Sequence, residues 1–441
     1  VLLLKHYFSS CFFLSQEGVL AMKILALNCG SSSVKYQLFN WDERCVIAKG
    51  MVERVTIGNS FISHEVPGKK TYKEEYECPD HRTAINLIIS TLMHPEHGVV
   101  KSMDEISAVG HRVVHGGEKF TRSVAIDKDV LDAIRSVQDL APLHNPPNIS
   151  GIKAAQSVLP DVPHIAIFDT AFHQTMPDYA YTYPLPYQWY QDYGVRRYGF
   201  HGTSHLYVSK RAAIKLGKPL TESKIITLHI GNGVSHSAIK NGASIDTSMG
   251  LTPLEGAMMG TRCGDIDPAI PPFIMDNQGL NPLEMDSLLN QKSGILGITG
   301  RYTDRRDVIK NAEKGDYRCQ LALDIESYRI KKYIGAYAAA LGGLDAIVFT
   351  AGVGENAGII REKALEGLEF LGIELDHEKN LKTFSKDGET EITTPDSTVK
   401  VFVIPTNEEL VFVEDVVAIM NETYTNHLEF QYSFTDPDYK P

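Results

Sequence analysis

One short plan occurs twice in this chain, and that repeat restricts the possible folds more than any other feature. The run Ile24-Leu25-Ala26-Leu27-Asn28-Cys29-Gly30 is echoed by Ile225-Ile226-Thr227-Leu228-His229-Ile230-Gly231. Each is an apolar strand that ends in a polar, glycine-containing turn and leads into a returning strand; after the first turn, Val34–Phe39 alternates apolar and polar residues. Two apolar strands can resemble each other by chance. Taken at face value, the echo predicts two domains of one design, each opening with a β-hairpin that presents a polar turn. A length of 441 residues leaves room for two or three domains.

The rest of the chain alternates in kind. Ala108–Val114, Ile165–Phe168, Ala346–Thr350 and Val399–Ile404 are buried-strand candidates. Helical periodicity runs through Ala84–Met93, Val130–Leu140, Ser204–Leu216, Leu321–Leu341 and Glu408–Met420. Strands and helices mixed throughout predict α/β layering. With 43% apolar and 22% charged residues, disorder and collagen-like repeats are excluded. The net charge of −12 argues against nucleic acid or an anionic membrane as the main partner, because either needs a basic face. Six scattered cysteines, Cys11, Cys29, Cys45, Cys78, Cys263 and Cys319, form no C-x-x-C pair and read as reduced thiols of a cytosolic protein.

Residues 1–21 stand apart. The apolar pieces Val1–Leu4 and Phe12–Leu14 are broken by Lys5, His6, Ser9, Ser10, Gln16 and Glu17, too often for a membrane span. Val19-Leu20-Ala21 fits a signal-peptide cleavage site, but no unbroken apolar run of the usual length precedes it. Gln16-Glu17-Gly18 can be encoded by a purine-rich stretch like a bacterial ribosome-binding site, so translation is expected to start at Met22, with residues 1–21 a non-native or disordered extension.

Three turns are suited to phosphate. Asn28-Cys29-Gly30-Ser31-Ser32-Ser33 combines small residues with three hydroxyls, and Lys35 follows it. Gly231-Asn232-Gly233 follows an apolar strand, and Gly352-Val353-Gly354-Glu355-Asn356 reads as a turn before a helix starting near Ala357. Neither G-x-x-x-x-G-K-[ST] nor G-x-G-x-x-G occurs. Each turn alone could be ordinary; three after buried strands favour a nucleotide. Polar clusters also close strands: His111–Gly117, Asp169, Phe200–His205 and Met259–Asp265. Plainer readings compete at several positions. His205 reads as a packing histidine, and Arg122, Arg196 and Arg197 as solvated or paired groups. Thr406-Asn407-Glu408-Glu409 reads as a capping box that occupies Glu409 and leaves Glu408 free.

Together these residues form a signature. LNCGSSSVKY (27–36), GHRVVHGGEKF (110–120), RYGFHGTSH (197–205), MGLTPLEGAMMGTRCGDID (249–267), FTAGVGEN (349–356) and PTNEEL (405–410) resemble the acetokinase family, from Met22 to about Thr423. The resemblance implies the superfamily of acetate and sugar kinases, heat-shock chaperones and actin. It implies an α/β fold of two domains with duplicated actin-like (ribonuclease H-like) topology and the active site in the interdomain cleft. The first domain would cover 22–170, completed by 405–441, and the second, nucleotide-binding domain 171–404.

The implied activity is reversible, Mg2+-dependent phosphoryl transfer from ATP to acetate, giving acetyl phosphate and ADP by direct in-line transfer. Position by position, the resemblance implies that Asn28 and Glu408 hold Mg2+ (with Mn2+ as an alternative) and that Ser31, Ser33 and Lys35 face the ATP phosphates. Arg112 would bind substrate, Asp169 would be the catalytic acid/base, and His201 and Arg262 would stabilise the transition state. His229, Ile230, Gly231, Asn232, Gly233, Asp304, Arg305, Arg306, Gly352, Val353, Gly354, Glu355 and Asn356 would form the nucleotide site. Val114, Leu143, Phe200 and Pro253 would line a pocket for the acetate methyl group. A cytoplasmic homodimer, with no nucleic-acid or membrane partner, completes the expectation.

Elementary chemistry adjusts one role. Acetate is already ionised at pH 7, so it needs no base, and Asp169 is better placed to balance arginine and Mg2+ charge. Arg305, where the family usually has an apolar residue, and Val234, where a small one is common, leave the preference between ATP and GTP open. The competing readings are a kinase for a longer acid, such as propionate or butyrate, a chaperone-like ATPase on the same fold, and a sugar kinase. The arginines disfavour the last because they point to an anionic acceptor.

Overall fold

The computed structural model describes residues 21–142 and 144–440. The extension before Ala21, with Cys11, and the place of Leu143 in the methyl pocket lie outside the described residues. The first sheet comprises β1 (Lys23–Cys29), β2 (Ser33–Asn40), β3 (Cys45–Glu53), β4 (Phe61–Glu65), β5 (Tyr72–Glu75), β6 (Ile106–Val113), β7 (Val124–Ala125) and β8 (His164–Phe168), in the order β5-β4-β3-β2-β1-β6-β8-β7. The second comprises β9 (Lys224–Ile230), β10 (Val234–Lys240), β11 (Ala243–Thr247), β12 (Ala346–Thr350), β13 (Thr390–Glu391) and β14 (Lys400–Val403), ordered β11-β10-β9-β12-β14-β13.

The echoed segments are the central strands β1 and β9, and the plan around them is duplicated. In β3-β2-β1-β6-β8 the hairpin strands pair antiparallel, then β1-β6 and β6-β8 pair parallel. In β11-β10-β9-β12-β14 the same sequence of pairings recurs. The turns thus lie at corresponding points, with Asn28 opposite Lys35 in one sheet and Ile230 opposite Val234 in the other.

Burial explains how the sheets are layered. The helices Gly202–Leu216 and Glu408–Met420 lie between them. Their Leu206, Val208, Val411 and Val413 join one core with Ile165 and Ile167 of the first sheet and Ile225, Val348 and Phe402 of the second. The outer face of the first sheet is covered by His81–Leu92, and that of the second by Tyr317–Leu341, through Ile330 and Ile334. Contact between Glu408–Met420 and the first sheet is close: a Cβ at Gly110 would lie 2.6 Å from the Phe412 ring. Among the described residues no helix is long and apolar enough to cross a membrane.

Three local expectations need correction. The Gly352–Asn356 segment is not a turn: Ala351–Asn356 is helical directly after β12, and a further helix spans Gly358–Leu365. The capping box is absent, because Asn407 caps Glu408–Met420 by accepting from Leu410 N (3.0 Å), while Glu409 accepts from Gln37 Nε2 (3.0 Å). Arg196 and Arg197 are paired, as one of the two readings had it, and only the surface placement of Arg196 is corrected. Arg196 is buried, bonded to Glu118 and stacked on Tyr181, and Arg197 is held by Glu255.

Candidate active site

The two sheets meet around a cavity of about 270 Å3. From the first come Asn28, Ser33 and Lys35 of the hairpin, Arg112 of β6 and Asp169 just after β8. Gly30 N closes the hairpin turn onto Ser33 O (2.8 Å). Asn148 ties the turn to the end of β6, donating to Cys29 O (2.8 Å) and accepting from Val114 N (3.0 Å). From the second half come Phe200, His201, Pro253 and Arg262. Val114, Phe200 and Pro253 supply its apolar wall.

The two arginines differ in their partners. Arg112 grips Asp169 with both arms of its fork, Nε to Oδ1 at 2.9 Å and Nη2 to Oδ2 at 2.7 Å. The carboxylate holds the guanidinium firmly protonated, while burial pushes the Asp169 carboxyl upward and the guanidinium opposes that push. Arg262 has no carboxylate partner among the described residues; its only hydrogen bond to oxygen is Nη1 to Pro253 O at 3.4 Å. Burial pushes its pKa down.

His201 occupies the left-handed region at φ 56°, rare for a residue with a side chain, and caps the helix Gly202–Leu216. Burial pushes its pKa well below the ordinary histidine value, and neighbouring His229 and Arg112 push the same way. A Cβ on Gly233 would lie 3.5 Å from both His201 Nε2 and Arg262 Nη1, so the second hairpin's turn leaves open the space on which these donors converge.

A larger cavity of about 480 Å3 shares Asn28, Lys35, Arg112 and Asp169 and adds Thr203 and Glu408. Glu408 accepts from Thr203 Oγ1 (2.8 Å). The Asn28 amide makes no side-chain hydrogen bond among the described residues and so remains available. Asn28 and Glu408 present only oxygen ligands, with Asp169 beside them. That donor set suits Mg2+, which takes few protein carboxylates together with substrate phosphates.

The expected nucleotide residues fall into two groups. His229–Gly233 and the helix Ala351–Asn356 are neighbours at the ends of paired strands, where a Cβ on Gly231 would lie 3.8 Å from that of Ala351. Gly260 N donates to Asn232 O (3.0 Å) and brings the Met259–Asp265 loop alongside. Glu355 is buried and accepts from Thr406 N (3.2 Å), tying this helix to the segment entering Glu408–Met420. Asp304, Arg305 and Arg306 form the second. No residue of either group lines the two cavities. Arg305 approaches the first group: a Cβ on Gly260 would clash with Asn232 Oδ1 and lie 3.2 Å from Arg305 Nη1. Asp304 caps Arg305–Ala312, Arg306 is exposed, and Arg305 is buried in an ion pair with Glu326 (2.8 Å). Ser31 is exposed and lines neither cavity.

Sequence reasoning missed His144, which lines the smaller cavity, and gave Thr203 no role of its own. The adjacent Leu143 was the only pointer to the first, and Thr203 lay inside a quoted motif. Two half-buried cations with one anionic partner, side-chain oxygens in the adjoining cavity, and converging donors at the junction of two duplicated sheets together define an actin-like phosphotransferase.

Residues 23–414 match the acetokinase family. The chain is 70% identical to an acetate kinase of Geobacter metallireducens, covering 95% of this chain and 99% of that one. A solved acetate kinase of Porphyromonas gingivalis superposes with TM-score 0.87 at 47% identity, covering 91% of this chain and 100% of that one. A solved propionate kinase of Francisella tularensis gives 0.82 at 42%, covering 89% and 98%. The chain belongs to the acetokinase family, enzymes that phosphorylate acetate with ATP.

Proposed function

We propose that this enzyme transfers the γ-phosphoryl group of ATP directly to a carboxylate oxygen of acetate in the smaller cavity, in line and reversibly. The observation that carries this reading is the arginine pair around an apolar wall: charge for two anions, and Val114, Phe200 and Pro253 for a methyl group. Two unit charges 4 Å apart repel by about 4 kcal/mol at an effective dielectric near 20, so anionic donor and acceptor need local cations to meet.

In this mechanism Arg112, oriented by Asp169, binds the acetate carboxylate. Asp169 keeps that fork aimed and takes no proton, because the acceptor is already ionised. His201 and the unpaired Arg262 donate to the phosphoryl oxygens as charge redistributes, where such donors act most strongly. Ser33 and Lys35 would meet the ATP phosphates, and His229–Gly233 with Ala351–Asn356 would floor the nucleotide site. Asn28 and Glu408 would hold Mg2+, which supplies charge neutralisation between the phosphates. The first domain is taken as 22–170 plus 405–441 and the second as 171–404. The proposal also places the enzyme in the cytoplasm as a homodimer; the free thiols of Cys29, Cys45, Cys78, Cys263 and Cys319 suit a reducing compartment.

Likeness to a propionate kinase makes a longer acid the second reading. Incubation with MgATP, hydroxylamine and acetate, propionate or butyrate decides between them. Acetate is expected to give the most hydroxamate, propionate less and butyrate almost none. A maximum at propionate would keep the chemistry and replace the substrate.

A further inference from the structure

Behind His201 runs a line of buried hydrogen bonds that the mechanism has not used. His201 Nδ1 is 2.8 Å from Ser235 Oγ on β10. The same Ser235 Oγ is 2.8 Å from His205 Nε2, and His205 Nδ1 is 2.7 Å from Thr227 Oγ1 on β9. Ser235, His205 and Thr227 are fully buried. His201 Nε2, at the far end, has no protein partner among the described residues and faces the cavity beside Arg262.

Counting protons fixes the direction of this line. A hydroxyl carries one proton, and a neutral imidazole has one N–H and one bare nitrogen. If His201 Nδ1 carried the proton and donated to Ser235 while His205 Nε2–H donated there as well, the Ser235 hydroxyl proton would have no acceptor among the described residues. Otherwise, with His201 Nδ1–H donating, Ser235 would donate to His205 Nε2 and His205 Nδ1 to Thr227. The Thr227 hydroxyl proton would then be buried without an acceptor, since Thr227 Oγ1 has no other partner among the described residues. In the opposite sense Thr227 donates to His205 Nδ1, His205 Nε2–H to Ser235, and Ser235 to His201 Nδ1. Every buried donor is used, and the one remaining N–H, at His201 Nε2, points into the site. Donors aligned head to tail also polarise one another.

We propose that Thr227, His205 and Ser235 are positioning residues that fix His201 in the Nε2–H tautomer and so present a neutral donor to the transferring phosphoryl group. The proposal rests on the assigned role of His201, but the tautomer can be read without any assay. The left-handed backbone of His201 agrees with a side chain held for a purpose.

Long-range proton–nitrogen NMR of histidine-labelled enzyme tests it, with His201 signals assigned by their loss in His201→Gln. In the unaltered enzyme His201 should show a bare Nδ1 and a protonated Nε2. Ser235→Ala should move the ring toward the Nδ1–H form and lower kcat about 10- to 100-fold, with the KM for acetate and ATP unchanged. Ser235→Thr, which keeps the hydroxyl, should restore both. If Ser235→Ala does not fold, the nearly isosteric Thr227→Val probes the line from its far end, with the same tautomer shift and a smaller fall in kcat. An Nδ1–H tautomer in the unaltered enzyme, or a tautomer unmoved in the variants, overturns the proposal. A tautomer that follows Ser235 while kcat stays constant keeps the hydrogen-bond line and overturns the role given to His201.

Discussion

The two hairpins share a topology and divide the chemistry. β1–β2 has one open face: Asn28 and Lys35 stand opposite each other beside the larger cavity, near Arg112 and Glu408. β9–β10 is buried on both faces, so its polar side chains, His229, Ser235 and His236, bond inward or stay neutral. A charge is tolerable on the first and costly on the second, where burial lowers the pKa of His229 to about 3. The duplicated plan therefore yields one hairpin open enough to carry charged groups and another whose polar groups are buried and uncharged.

The most severe way to break this division is to remove Arg262, the unpaired cation facing the neutral side. Arg262→Ala is expected to lower kcat on the order of 10²- to 10³-fold with little change in the KM for ATP, as for loss of one transition-state donor. Steady-state hydroxamate kinetics measures it; equal losses in both constants would mean that Arg262 merely binds nucleotide.

A milder change sharpens the boundary between the charged side and the apolar wall. Val114→Ala enlarges that wall without touching Arg112 or Asp169. Propionate should gain about tenfold in kcat/KM relative to acetate, within the range of one methylene in an apolar pocket. A ratio that stays constant in the chain-length series would place the methyl group elsewhere.

The smallest effect concerns acid stability. His173 and His236 are held down to about 4 and about 3, against 6.5 when unfolded, by burial. A depressed folded pKa means that the unfolded chain takes up protons first as the pH falls. Stability is therefore complete above about 6.5 and is lost progressively toward 4 and 3. His236, whose two ring nitrogens have no partner among the described residues, is the cleanest probe. His236→Leu should flatten the dependence of Tm on pH between 6.5 and 4, as melting curves across that range would show.

Legibility in the sequence followed burial. β1, β9 and β12 were readable because their side chains are apolar and paired on both sides. β5, Tyr72–Glu75, was not, because an edge strand carries charges that look like loop. Ala351–Asn356 misled because its glycines read as a turn, although its residues are helical after a left-handed Ala351. Asn28, Arg112, Asp169, His201 and Arg262 do converge, as their motifs implied. The partners that decide their behaviour were not legible. Arg305 with Glu326, and Ser235 between two histidines, depend on how distant elements pack, which no local pattern records.

The position of Glu408–Met420 also has a consequence for biosynthesis. This helix covers the first sheet at Gly110 and brings in Glu408, yet it is made long after β1–β8 have left the ribosome. The first-made half must wait with an uncovered face until almost the whole message is read. A chain stopped before codon 408 therefore lacks both this cover and the carboxylate of Glu408 in the larger cavity.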